Sequence, residues 1–117
     1  MREFVLIDRV RETCASARAD VLLGIGDDAA VLAVPPGHDL LVSTDTLVAG
    51  VHFPHGTAAS DIGWKSLAVN LSDIAAMAGT PAWASLALTL PAVDPDWLGG
   101  FLEGFRTLAR RFDVALV

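Results

Sequence analysis

Two hydrophobic periods alternate along this chain, one of about 3.6 residues and one of about 2, and together they predict helices and strands in mixed order. From Arg2 to about Ala17 the apolar residues recur at helical spacing, which predicts an amphipathic opening helix. Its apolar stripe consists of Phe4, Ile7, Val10 and Cys14. A buried, unreactive thiol is therefore favoured for Cys14 over a reactive one.

Two short apolar runs follow the opening helix, AAVLAV at 29–34 and DLLVS at 39–43. The segment between them, PPGH, is rich in residues that form turns. Two apolar runs joined by such a cluster predict a β-hairpin.

The clearest helical pattern lies between Asp61, a candidate N-cap, and Gly79, which can end the helix together with Pro81. Its predicted apolar stripe consists of Leu67, Leu71, Ile74, Ala75 and Ala78. A second stripe, spaced i, i+4 and i+7, is polar although its members are mediocre helix formers. Solvated helix faces more usually carry Glu, Lys or Gln. The polar stripe consists of Ser66, Asn70 and Asp73.

The C-terminal part of the chain predicts a strand, a helix and a second strand. Alternation in WASLALTL (83–90) predicts a strand that packs on one face. Asp94 and Pro95 form an N-cap and N1 pair for a third helix. Its predicted stripe consists of Trp97, Phe101, Phe105, Leu108 and Phe112. The last residues, VALV, begin another strand, so the order of elements is that of a mixed α and β domain.

Composition limits the possible functions of this single domain of 117 residues. The hydrophobic fraction of 53% is high, which predicts that a partner or a further domain covers some apolar surface. The net charge of −6 disfavours binding to nucleic acids and to anionic membranes. A single cysteine excludes an intramolecular disulfide and a thiolate metal cluster. No signal-like or membrane-spanning run is present, and we expect a cytoplasmic protein.

Four aspartates are candidates for a metal site. Asp27 and Asp28 are adjacent in GIGDDAAVL (24–32), where two like charges beside an apolar run repel each other unless a cation is shared. Asp45 follows an apolar run in STDT, and Asp73 lies on the polar stripe of the second helix. Both have hydroxyl neighbours, so the set contains only oxygen ligands, which Mg²⁺ prefers. The spacing leaves two hypotheses open, a shared metal site or separate surface acids.

Three further features have more than one interpretation. The glycines of GIG (24–26) match neither a dinucleotide fingerprint nor a Walker loop, and a tight turn is favoured over a phosphate cradle. Lys65 could approach a phosphate, but a solvated helix lysine is favoured. On sequence alone, a structural role is favoured for His52.

Three long motifs, taken in order, resemble the amino-terminal domain of the thiamine-monophosphate kinase family. They are GIGDDAAVL, STDTLVAGVHF and DIGWKSLAVNLSDIAAMAGTPAW. That family belongs to a wider group of ATP-dependent enzymes that includes aminoimidazole ribonucleotide synthetase. The resemblance implies an α/β (α+β) fold like the N-terminal domain of that synthetase, with a mixed sheet and helices packed on one face.

The resemblance also implies a site and a reaction. It implies that ATP and several Mg²⁺ ions bind near the interface of a homodimer, and that the γ-phosphoryl group passes to thiamine monophosphate, giving thiamine diphosphate. The implied magnesium ligands are Asp28, Thr44, Asp45 and Asp73, with Asp27 and Ser43 close by. His52 matches a position that contacts the phosphorylated substrate, which reverses the structural interpretation given above.

The sequence departs from the family pattern after VALV. The glycine-rich GGDT segment and the C-terminal domain of these kinases are absent from the sequence. We therefore expect residues 1–117 to form an ATP- and Mg²⁺-binding domain that is inactive alone. Two alternatives stay open: another ATP-dependent enzyme of the same superfamily, or a module that only dimerises and binds Mg²⁺ and nucleotide.

Overall fold

Three helices and four short strands make up residues 2–117, the part of the chain that the computed structural model describes. The helices are α1 (Glu3–Thr13), α2 (Ala59–Ala76) and α3 (Pro95–Arg111), and the strands are β1 (Val21–Leu23), β2 (Val31–Leu32), β3 (Trp83–Ala84) and β4 (Ala115–Leu116). The pair β1 and β2 is antiparallel, whereas β3 and β4 are parallel. The predicted mixture of helices and strands is confirmed. Among the helices of residues 2–117, none is both long and apolar enough to cross a bilayer.

Helix α3 forms the centre of the hydrophobic core. Its predicted cap is confirmed, because the Asp94 carboxylate accepts hydrogen bonds from the backbone N–H groups of Asp96 and Trp97. The predicted stripe is buried at Phe101, Phe105 and Leu108, and Leu98 and Leu102 add to it. These buried positions recur three or four residues apart, as expected of a helix that is strongly amphipathic.

The prediction for Phe112 is wrong, because 48% of this residue is exposed. The helix ends at Arg111, and Phe112 is the C-cap residue with a non-helical backbone. Asp113 then takes a left-handed φ of 54° and turns the chain into β4. Beyond the last helical residue, the spacing of 3.6 no longer determines which way a side chain points.

Helices α2 and α3 cross closely, and glycines form the contact. A Cβ atom on Gly63 would overlap the carbonyl of Phe101, and one on Gly104 would overlap the carbonyl of Ser60. The absence of side chains at these two positions lets the backbones meet. The contact holds α2 firmly in place at its N-terminal half.

The boundaries of α2 differ from the prediction. The helix begins at Ala59, after the N-cap Ala58, so Asp61 lies in its first turn and stabilises the positive end of the dipole instead of capping it. It ends at Ala76, and the left-handed residue is Ala78, with a φ of 56°. The backbone N–H of Gly79 then donates to the carbonyl of Ile74.

Only the first part of the predicted α2 stripe is buried. Leu67 belongs to the core, and Leu71 and Ile74 are half-buried. Ala75 and Ala78 are exposed, because the C-terminal half of α2 lies beyond the glycine contact with α3.

Helix α1 is shorter than predicted and ends at Thr13. Its residue Phe4 is 79% exposed, so that member of the predicted stripe is wrong, whereas Val10 packs against the core. Cys14 is buried as predicted, and this burial raises the pKa of its thiol.

The predicted hairpin between 29–34 and 39–43 is wrong, because β2 pairs with β1 and residues 39–43 form no strand. The pairing joins Val21 to Leu32, and the backbone N–H of Ala33 donates to the carbonyl of Asp20. After β2, Pro35 and Pro36 have no N–H to donate, which prevents a ladder on the PPGH side.

The predicted strand at 83–90 is hydrogen-bonded only at its start. Residues 83–84 pair with β4, so the predicted strand in VALV is confirmed. Beyond them, Leu86, Leu88 and Leu90 are half-buried, and the residues between them are exposed. The alternation therefore describes correctly which side chains face inward, although the ladder stops at Ala84.

Candidate functional site

The STDT segment and helix α2 meet through their polar residues. The Ser43 hydroxyl donates to the Asp73 carboxylate, with 3.2 Å between Oγ and Oδ2. Two positions before Ser43, the Leu41 side chain covers Gly79, just beyond the C-terminal end of α2. A Cβ atom on Gly79 would lie 2.6 Å from Cδ1 of Leu41. These two contacts fix the segment along the C-terminal half of the helix, although the residues lie 30 positions apart.

Thr44 and Asp45 follow Ser43 directly and are exposed, as is Asp73. Consecutive Cα atoms are about 3.8 Å apart, so the backbone of both residues lies near the Ser43–Asp73 contact. The polar stripe of α2 explains this contact. It carries the short carboxylate of Asp73, which the STDT segment can approach more closely than a helix face of long charged side chains. The structure thus brings Ser43 into contact with Asp73, and two further predicted site positions, Thr44 and Asp45, follow Ser43 in the chain.

Asp27 and Asp28 lie in the turn between β1 and β2. The carboxylate of Asp27 accepts a hydrogen bond of 2.8 Å from the backbone N–H of Asp28, and both residues are exposed. Gly26 before them has a φ of 112°, which confirms the tight-turn interpretation of GIG. The Arg11 guanidinium of α1 covers this glycine, so that a Cβ atom there would lie 2.8 Å from Cζ.

The acidic residues do not form one dense cluster. Within residues 2–117, no three His, Cys, Asp or Glu side chains lie close enough together to hold a metal ion. Convergence of all four aspartates therefore stays a prediction. The donors still fit Mg²⁺, because this ion usually takes one or two carboxylates and completes its shell with water and phosphate oxygens.

An unpartnered oxygen lies one turn of α2 before Asp73. Asn70 donates from Nδ2 to the carbonyl of Ser66, at 2.9 Å, while its buried Oδ1 has no hydrogen-bond partner. A buried acceptor without a donor is rare in folded proteins. It is an unsatisfied polar atom on the stripe that carries Asp73.

His52 lies in a tight turn that is fixed by hydrogen bonds. The backbone N–H of Val48 donates to the imidazole Nδ1 at 2.8 Å, and the N–H of His52 donates to the Val48 carbonyl at 2.9 Å. Because Nδ1 accepts, the ring carries its proton on Nε2. Gly50, with a φ of 79°, allows the turn, and the His55 ring lies against it.

Lys65 of α2 is exposed, as predicted, but it has a specific contact. Its ammonium donates to the backbone carbonyl of His52. Sequence reasoning missed this contact, because helical periodicity carries no signal for a partner in a distant turn.

A second network, which the sequence did not reveal, joins the two sheets. Arg18 donates from Nε and Nη2 to the Asp20 carboxylate, and from Nη1 to the carbonyl and carboxylate of Asp113. The indole of Trp83 donates to Asp20 at 3.1 Å, and the guanidinium lies 5.9 Å from the centroid of that ring. The hydrogen bonds from Arg18, and then that from Trp83, hold the pKa of Asp20 below its usual value. Since Asp20 precedes β1, the network fixes the strand that leads into the Asp27–Asp28 turn.

The comparisons with known proteins cover the region that contains the three motifs of the sequence analysis. The family model for AIR synthase related protein, N-terminal domain, matches residues 26–117. Thiamine-monophosphate kinase of Escherichia coli (strain K12) is 50% identical over 115 residues, which cover 98% of this chain and 35% of that protein. The enzyme of that name from Haemophilus influenzae is 40% identical over 117 residues.

A solved structure agrees with these relatives. The crystal structure of thiamine-monophosphate kinase from Stenotrophomonas maltophilia K279a is similar to this chain with a TM-score of 0.85 and 55% identity, and the match covers 100% of this chain and 37% of that one. The resemblance drawn from the three motifs is confirmed. The chain spans about a third of the length of the curated relatives that it matches.

Proposed function

We propose that this chain forms the nucleotide- and metal-binding part of a thiamine-monophosphate kinase. The chain belongs to the family of the AIR synthase related protein, N-terminal domain, whose model matches residues 26–117. The names of its relatives at 40% to 50% identity support the choice of substrate. The observation that carries the proposal is the hydrogen bond from Ser43 to Asp73, because it brings two of the three resembling motifs together.

The proposed reaction joins two phosphates. An oxygen of the thiamine monophosphate phosphate attacks the γ-phosphorus of ATP, the bond from that phosphorus to the bridging oxygen of ADP breaks, and thiamine diphosphate and ADP leave. Bound Mg²⁺ would neutralise the phosphate charges and hold the groups in line. The reaction needs no covalent enzyme intermediate, so positioning and charge stabilisation carry the catalysis.

The residues have separate roles in this proposal. Asp28, Thr44, Asp45 and Asp73 would hold the magnesium ions, with Asp27 and Ser43 close by. The hydroxyl of Ser43 orients one oxygen of Asp73 and leaves the other oxygen free. His52 would contact the substrate phosphate, and its protonated Nε2 supplies a hydrogen-bond donor for that contact.

The proposal includes a homodimer in the cytoplasm. Residues 39–46 are not paired in a sheet, and Leu40, Leu41 and Val42 are exposed. An unpaired apolar segment favours pairing with a second copy. We propose that such pairing completes the mixed sheet, with helices on one face, and covers the excess apolar surface.

The test uses a hybrid protein in which this chain replaces the matching 115 residues of the Escherichia coli relative. ADP release is measured with Mg²⁺ and ATP, once with thiamine monophosphate and once with unphosphorylated thiamine. We expect ADP and thiamine diphosphate with the monophosphate alone. No turnover at saturating substrate, in a hybrid that is folded, would contradict the proposed function.

A second candidate is a module that dimerises and binds Mg²⁺ and nucleotide without turnover. It is favoured by the exposed apolar side chains of residues 40–42, which a second copy could cover without any bound substrate. The hybrid protein distinguishes the two candidates. Binding of Mg²⁺ and ATP by a folded hybrid without ADP release supports the module, whereas turnover by the hybrid contradicts it.

A further inference from the structure

Lys65 is the single lysine of the sequence, and it is committed to one contact. Its ammonium donates to the backbone carbonyl of His52, 13 positions earlier in the chain. A hydrogen bond from a charged donor is roughly twice as strong as one between neutral groups. Lys65 stands two positions after Gly63, where α2 is held against α3 by the backbone contact. The ammonium is therefore anchored on a firmly held part of a helix.

The turn of residues 48–53 depends on such polar contacts, because it buries little apolar surface. Val48 is 48% exposed and Val51 is 74% exposed. Phe53 is the residue of this turn that packs against the core. A segment with few buried contacts opens easily unless other contacts hold it. The hydrogen bond from Lys65 connects the turn to α2 at the carbonyl of His52, the residue of this turn that has a role in the proposed site.

The contact from Lys65 and the orientation of the imidazole belong to one arrangement. The bond from Val48 to Nδ1 forms only while the backbone of residues 48–52 keeps its turn, and Lys65 holds the last carbonyl of that turn. Release of the carbonyl would leave the turn held only by its internal backbone hydrogen bonds and by Phe53, so that the contact to Nδ1 would form for a smaller fraction of the time. The imidazole would then no longer keep its proton on Nε2 alone.

From this geometry we propose that Lys65 is a positioning residue, which holds the turn of residues 48–53 so that the His52 imidazole presents Nε2–H to the substrate phosphate. The part that concerns the substrate rests on the function proposed above. The part that concerns the imidazole is independent of it and can be measured without any substrate. Lys65 acts through His52 and does not itself have to reach the phosphate.

The first experiment observes the tautomer of His52 by ¹⁵N–¹H NMR of the imidazole rings in the full chain labelled with ¹⁵N, with His52→Gln to assign the signals. In the unsubstituted chain we expect a proton on Nε2 and an unprotonated Nδ1. Lys65→Met keeps the unbranched stem and removes the donor, so its His52 signals should move toward the average of two tautomers. Lys65→Arg retains a cationic donor and should restore most of the original pattern. Unchanged His52 signals in Lys65→Met would overturn the inference.

The second experiment measures kinetics in the hybrid protein described above. Lys65→Met should raise the KM for thiamine monophosphate about tenfold, since misplaced binding groups cost that much or more, and should leave the KM for ATP within about twofold. Arg111→Met removes an exposed positive charge from α3 and serves as the matched control, with both constants unchanged. An equal rise in both KM values would overturn the role in substrate positioning. An unchanged KM for thiamine monophosphate in a variant whose His52 signals have changed would overturn it as well.

The two proposals fail in different ways. If the unsubstituted hybrid has no kinase activity, the proposed function is contradicted, and the tautomer measurement alone decides the role of Lys65. If the hybrid is active and the His52 signals do not depend on Lys65, the function stands and the positioning role is contradicted.

Discussion

Asp28 lies in an exposed turn, next to a second carboxylate that already accepts a backbone hydrogen bond. Such a pair is unfavourable unless something of opposite charge shares it. The Arg11 guanidinium lies against Gly26 one residue before the pair, but it is bound to Asp8 at 3.2 Å. The proposed function would supply the missing positive charge as a bound Mg²⁺ ion.

Asp28→Asn tests this capacity. The substitution keeps the shape of the side chain and removes the charge, so we expect Mg²⁺-dependent ATP binding to weaken by roughly 10- to 100-fold, the range seen when groups that support a metal are lost. Because Asp28 is exposed and makes no buried contact, the thermal unfolding temperature should stay within about 2 °C. Titration calorimetry and thermal unfolding of the hybrid protein provide the two measurements.

The matched control for this substitution is Asp39→Asn, which removes a charge from another exposed position. We expect it to leave ATP affinity unchanged. Equal affinities for Asp28→Asn and the unsubstituted protein would remove Asp28 from the proposed metal site. A parallel loss in both variants would indicate a general effect of net charge instead.

Asp20 makes the stability of the protein depend on pH in a defined direction. Its side chain is 26% exposed, and Arg18, followed by Trp83, lowers its pKa in the folded state. A lowered pKa means that the contribution of this carboxylate is fully present above the unfolded pKa of about 3.9 and is lost as the pH falls through the folded value. Asp20→Asn should therefore lower the unfolding temperature at pH 7, and the difference should shrink below about pH 4.

A double variant separates the network from general acid effects. In the background of Arg18→Met, the main partner of Asp20 is already absent, so Asp20→Asn should have a smaller, less pH-dependent effect. Scanning calorimetry between about pH 3 and about pH 7 measures the unfolding temperatures of these variants, because this range includes the unfolded pKa of Asp20. The network is contradicted if the single variant differs from the unsubstituted chain by the same amount at every pH.

The crossing of α2 and α3 can be tested with two glycines of the same helix. At Gly104 an added methyl group would meet the backbone carbonyl of Ser60, which cannot move without shifting α2. We expect Gly104→Ala to reduce the free energy of unfolding by about 3 kcal/mol, the upper range for overpacking. Urea denaturation measures it.

Gly99→Ala should have the opposite sign. The nearest atom to an added methyl group there is Nη2 of Arg9, at 2.7 Å, which is the end of a flexible side chain and can move away. Alanine is a better helix former than glycine, so the variant should gain about 0.5 to 1 kcal/mol. If both variants changed stability alike, the close backbone contact would not be what holds the helices together.

Local signals and long-range contacts were predictable to different degrees. Two adjacent residues, Asp94 and Pro95, indicate the helix cap, and a simple alternation of apolar residues indicates the inward face of 84–90. Both could therefore be predicted from the sequence. The partner of β2 was predicted wrongly, because the turn-forming residues of PPGH indicate a change of chain direction but do not identify the strand that pairs with 29–34. The two prolines lack the N–H groups that a ladder on that side would need. The hydrogen bond from Ser43 to Asp73 spans 30 positions and was not predicted; the resemblance implied only that Ser43 lies close to a site that includes Asp73.

The exposed apolar surface of the protein gives the last prediction, which concerns its assembly. Residues 40–42 are exposed, with Val42 at 80%, and the segment has no sheet partner among residues 2–117. A charge in such an edge disfavours strand pairing. We therefore expect a dimer in sedimentation equilibrium, which Val42→Lys should convert to a monomer by weakening association at least about tenfold, since a buried unpaired charge costs several kcal/mol. Val93→Lys places the same charge at an exposed valine before α3 and should leave the dimer intact. A monomer in the unsubstituted chain, or equal dissociation of both variants, would mean that this segment is not the interface, and the apolar surface would then need a different partner.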